Sequence, residues 1–168
     1  MSAKSDENFL KSVKTANKEI KENIGKKSIL FSFPYGESSL KKEKLIENLG
    51  FSLAFSQHSS YITKNENIFR LPRFSLNEQY GTIERFKMIM TSKPLEVFDV
   101  MPKDNLIVDN ETNIISFSTN HPVNLINCYN SENLNMELKI NEKKLEVRIK
   151  EPIINRRIRV NCTYVSKN

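Results

Sequence analysis

Phe31-Ser-Phe-Pro-Tyr-Gly36 reads as a strand end running into a Pro-Tyr-Gly turn. A helix over Leu40–Leu49 comes next, then the strand Gly50-Phe-Ser-Leu-Ala-Phe55, the polar turn Gln57-His58-Ser59-Ser60 and, shortly after, Phe69-Arg-Leu-Pro-Arg-Phe74. Strand, turn, helix, strand, turn, strand is the order of a (β/α) barrel, whose active sites form at the C-terminal ends of the strands.

The flanking sequence extends this pattern on both sides. Upstream, Phe9, Leu10, Val13, Ala16, Ile20 and Ile24 recur at spacings of three and four, which predicts an amphipathic helix from Asp6 to Ile24 stopped by Gly25. Ser28–Phe33 then has a strand pattern. Glu43–Leu49 with Gly50 behind it is a helix with a glycine stop. Phe51–Phe55 is apolar enough for a strand covered on both faces. Ile68–Leu71 is expected to be a further strand closed by Pro72, and Tyr80–Met90 a last helix with Ile83, Phe86, Ile89 and Met90 on one side.

Beyond Pro94 the pattern changes. Pro102–Asn105 reads as a linker turn. Short alternating runs follow at Ile114–Ser118, Met136–Ile140, Leu145–Ile149 and Arg157–Asn161, with Asn141–Lys144 as a hairpin turn. Period-two alternation suits a small antiparallel sheet with one wet face. The expected division is therefore residues 1–100 and residues 101–168.

Composition narrows the function classes. The chain has 168 residues, 38% hydrophobic and 27% charged, within the range of a globular domain. No apolar run approaches the ~20 residues of a membrane span. The net charge of +6 is spread over scattered lysines rather than a stripe interleaved with aromatics, which points away from nucleic acid. An anionic polysaccharide or envelope surface would also suit such a charge. Met1–Glu7 has no apolar stretch after a basic region, so no secretory signal is expected. As written the chain reads as cytoplasmic, or as periplasmic or envelope-bound if it belongs to a longer exported precursor. Cys128 and Cys162 admit two readings: separate half-buried thiols on strands, or a disulfide tying two strands in an oxidising compartment.

Phe31–Gly36, Leu40–Leu49, Gln57–Ser60 and Phe69–Phe74, taken in order, resemble the second half of the polysaccharide deacetylase family, the NodB-homology domain. The resemblance covers about residues 6–90 firmly and the remainder loosely. It implies an α/β fold: part of a (β/α) barrel of the glycoside hydrolase/deacetylase type, then an antiparallel β-rich extension. It also implies a hydrolase that removes N- or O-acetyl groups from an acetylated polysaccharide with a divalent, zinc-type metal. The family's metal ligands, an aspartate pair and a His-x-x-x-His helix, belong to the half this sequence lacks. The two histidines here, His58 and His121, are far apart and no Asp-Asp pair occurs, so no metal site is expected. The chain alone is accordingly expected to be inactive, with a missing N-terminal half as a candidate partner.

The resemblance implies roles for particular residues. Pro34-Tyr35 aligns with the family's Arg-x-Pro-Tyr element, whose tyrosine N–H stabilises the oxyanion; the arginine position is Ser32 here. His58, on the rim, is the candidate proton donor to a leaving amine. Gln57, Arg70, Arg73 and Tyr80 are the candidate substrate contacts, the guanidinium groups through bidentate bonds. A non-catalytic glycan-binding module with Tyr35, Tyr61, Phe74 and Tyr80 as sugar contacts is the other reading.

Overall fold

The computed structural model describes residues 3–106, 113–155 and 157–165, with side chains from residue 6 onward. It divides into two compact units, Met1–Lys87 and Met88–Asn168. The sequence reading placed that boundary near residue 100.

In the first unit, helix α1 (Ala3–Ile24) and helix α2 (Leu40–Asn48) accompany two parallel strands, β1 (Leu30–Ser32) and β2 (Leu53–Phe55). Ser39 caps α2, its hydroxyl accepting from the Lys42 N–H at 3.3 Å. Gly50, at φ +85°, lets the chain leave the helix in a left-handed turn. The segment Ile68–Leu71 runs along β2 as a single parallel bridge, Phe55 to Leu71, rather than as a full strand. The reason is local: Asn67 and Arg70 close a turn just before it (Arg70 N–H to Asn67 O, 2.8 Å), and Pro72 removes the next ladder donor.

Val13, Phe33, Ile46, Phe51 and Ala54 form the buried core of this unit, with Phe9, Phe31, Leu49 and Phe69 packed on it. Phe31 meets Phe9, Phe33 and Phe51 edge-on at centroid distances of 6.1, 5.0 and 5.4 Å. Phe33 is 1% exposed, and its truncation to alanine would cost roughly 3–5 kcal/mol. The strands are short and do not close into a barrel among the described residues.

Helix α3 (Ile83–Thr91) follows. The second unit holds a four-stranded antiparallel sheet in the order β3 (Val97–Met101), β4 (Ile114–Thr119), β7 (Lys144–Ile149), β6 (Met136–Asn141). A separate antiparallel pair joins β5 (Ile126–Asn130) to β8 (Val160–Tyr164). In β7, Leu145, Val147 and Ile149 are buried, and Leu145 and Val147 join a core with Phe117, Val123 and Ile126. Asn141 pairs with Lys144, so Glu142 and Lys143 form the hairpin turn, with Glu142 at φ +52°. Cys128 and Cys162 are directly opposite in the β5–β8 register and form a disulfide. That register sets β8 at Val160–Tyr164, displaced from the run Arg157–Asn161 that the alternation suggested.

Candidate functional site

Because β1, β2 and the Leu71 bridge are parallel, their C-terminal ends lie along one edge of the sheet. Each end delivers a segment carrying candidate residues. β1 delivers Pro34-Tyr35-Gly36, closed by the Gly36 N–H donating to Phe33 O at 2.9 Å. Tyr35 occupies the left-handed region (φ 55°, ψ 10°) and is 71% exposed. A side chain held in that conformation is uncommon outside turns and sites.

β2 delivers Ser56-Gln57-His58. The buried Ser56 hydroxyl donates to Gly36 O at 2.8 Å, which ties this segment to the turn after β1. The Arg73 Nε donates to Ser56 O at 2.8 Å, and the Arg73 N–H to His58 O at 3.0 Å. Burial lowers the His58 pKa, and the neighbouring Arg70 guanidinium lowers it further. The imidazole is therefore neutral at pH 7. Arg70 in turn lies beside Glu43 of α2, Nε to Oε1 3.7 Å, and that pair is largely withdrawn from solvent. The Asn67 amide donates to the other Glu43 oxygen at 2.7 Å. Tyr61 and Phe74, on the segments following His58 and Arg73, meet edge-on at 5.1 Å.

Tyr35, Gln57, His58, Arg70 and Arg73 thus come from three segments at one sheet edge. Tyr80 is held instead within its own turn: its N–H bonds to Asn77 Oδ1 at 2.8 Å, and its ring lies 5.4 Å from the Arg85 guanidinium. His121 is in the second unit, its ring 4.8 Å from that of Tyr164. Glu43, Asn67 and Ser56 escaped the sequence reading. For Glu43 a signal existed, since it precedes the buried Ile46 by three residues and so shares the helix face that packs inward. A groove of about 210 Å³ runs along α1 and β1 between Val13, Ile20, Leu30 and Phe51, and none of the five strand-end residues lines it.

Among the described residues no three His, Cys, Asp or Glu side chains gather into a group able to hold a metal ion. No helix among them is long and apolar enough to cross a membrane. In comparisons with known proteins, no family model, no curated protein and no solved structure matches this chain.

Proposed function

We propose that the first unit is the carbohydrate-facing part of a polysaccharide deacetylase-type (β/α) barrel, and that the chain by itself binds an acetylated glycan without hydrolysing it. The observation that supports this reading is the convergence of the Pro34-Tyr35-Gly36 turn with His58, Arg70 and Arg73 at the C-terminal edge of parallel strands. Amide and guanidinium donors from Gln57 and Arg73 suit sugar hydroxyls and an acetyl carbonyl. The rings of Tyr35, Tyr61 and Phe74 suit sugar faces.

The state of His58 favours binding over proton transfer. Donating a proton to a leaving amine requires the imidazolium, which both burial and Arg70 disfavour. A neutral imidazole instead offers one N–H and one lone pair to a hydroxyl. The family's metal does not fit the residues described here, so hydrolysis would need ligands from a separate segment or chain. The Cys128–Cys162 disulfide supports an oxidising setting such as the cell envelope.

The test is binding of chitohexaose to the purified chain by calorimetry, alongside an acetate-release assay with and without added Zn²⁺. Binding that survives a chelator, with no acetate released, is the expected result. Failure to bind this or an acidic acetylated hexasaccharide overturns the glycan reading, and metal-dependent acetate release overturns the claim that the chain alone is inactive.

A further inference from the structure

The segments that follow β2 carry more basic than acidic residues, while the turn after β1 adds one acid, Glu37. From Gly50 to Leu76 the sequence carries Lys64, Arg70 and Arg73 against one acid, Glu66. Arg70 is met by the buried Glu43, whereas Arg73 forms no ion pair among the described residues. Nor is Arg73 a loose surface side chain. Its Nε is fixed on Ser56 O at 2.8 Å and its own N–H on His58 O at 3.0 Å, which anchors backbone and guanidinium together at the end of β2.

With Nε–H committed to a neutral carbonyl, the guanidinium keeps its four Nη hydrogens, arranged as a planar fork. Two coplanar carboxylate oxygens match that fork end-on. Gln57 and the neutral His58 lie on the segment that Arg73 is bonded to, and bring no negative charge to compete for it. We infer that Arg73 is the anion-selecting residue of this site, and that the preferred ligand is a glycan bearing carboxylates, a polymer containing uronic acid. The inference rests on the glycan-binding reading above and adds the class of sugar.

Two hexasaccharides of equal length test it: neutral chitohexaose, and a hyaluronan hexasaccharide in which glucuronate alternates with N-acetylglucosamine. The wild-type chain is expected to bind the acidic sugar about tenfold or more tightly at about 50 mM salt, as a charge-assisted pair allows, with the preference shrinking at about 500 mM. R73Q is expected to bind both sugars equally. K14Q removes the same charge from α1 and should leave the preference intact. Where R73Q does not fold, R73K decides: it keeps the charge but loses the fork, so a severalfold weaker preference supports the inference and an unchanged one overturns it. Equal wild-type affinity for the two sugars, or a preference persisting in R73Q, also overturns it while leaving the glycan reading in place. Binding of neither sugar overturns both.

Discussion

Gly36 and Gln57 are in such close backbone contact that a Cβ on Gly36 would stand 2.4 Å from the Gln57 nitrogen and 2.5 Å from its Cβ. The glycine also sits at φ +71°, where L side chains are strained. Together with the Ser56 hydroxyl on Gly36 O, this contact sets the distance between the turn after β1 and the segment carrying His58. The site is assembled by backbone proximity of two loops, which no single-residue motif encodes.

Gly36→Ala should accordingly be among the most damaging single-methyl changes in the first unit. Left-handed strain and the clash together are expected to cost about 2–4 kcal/mol, because the obstructing atoms belong to a backbone that cannot swing aside. Urea denaturation followed by far-UV circular dichroism reads the loss. A change within about 0.5 kcal/mol of wild type, the range of ordinary surface substitutions, would show that the contact is not a constraint.

The Glu43–Arg70 pair is the second constraint on the site. Its side chains are 6% and 22% exposed, which removes it from the class of surface ion pairs worth under ~1 kcal/mol. Glu43→Ala removes the carboxylate beside a mostly buried guanidinium and the acceptor of the Asn67 amide at once, and is expected to destabilise by roughly 3 kcal/mol. Glu43→Gln keeps an acceptor for Asn67 and should cost less. A double-mutant cycle with Arg70→Ala isolates the pair, and a coupling energy below about 0.5 kcal/mol would sink this argument.

What the sequence disclosed, and what it withheld, follows from the range of the physics involved. Helices α1 and α2 were legible because the spacing of Phe9, Val13 and Ile20, and the glycine after Leu49, act within a few residues. β3 was illegible because its register with β4 shifts between Phe98 and Met101, with Asp99 at φ +52°. That irregularity breaks the period-two pattern, and the expected boundary near residue 100 fell inside the strand. Glu43 stands within a Lys-Lys-Glu-Lys run where only its spacing from Ile46 signals burial, and the partners that give it a role, Asn67 and Arg70, lie more than twenty residues downstream. The disulfide was undecidable for a related reason, since pairing Cys128 with Cys162 depends on a strand register that neither cysteine specifies.

His58 gives the first unit a signed pH dependence. Burial chiefly, and Arg70 secondarily, hold its pKa below the ordinary 6.5. As pH falls through 6.5 the unfolded chain takes up a proton that the folded state resists, so stability declines until pH drops past the folded value. Above about pH 7 neither state is protonated and this contribution is flat. Proton NMR of the His58 ring should therefore titrate below 6.5, and Arg70→Gln should move it upward. His58→Gln should remove the acid-side slope attributable to this group. A ring titrating at or above 6.5 in the wild type would contradict the desolvation argument.

The Cys128–Cys162 bond closes a loop with a sequence separation of 34 residues, which by chain entropy is worth roughly 4 kcal/mol to the folded state. Its effect should be concentrated in the second unit, which contains both cysteines. Among the described residues the pair β5–β8 hydrogen-bonds to no strand of the four-stranded sheet, and it reaches the common core through Ile126, Val160 and Tyr164. A two-stranded ribbon is marginal alone, so the crosslink is expected to decide whether these strands stay on that core. Cys128→Ser/Cys162→Ser, or the wild type under reductant, should unfold this unit at markedly lower urea, with amide protection lost in β5 and β8 ahead of β4 and β7. Superimposable denaturation curves with and without reductant, or two titratable thiols in the native protein from its own cells, would leave β5 and β8 held by packing alone.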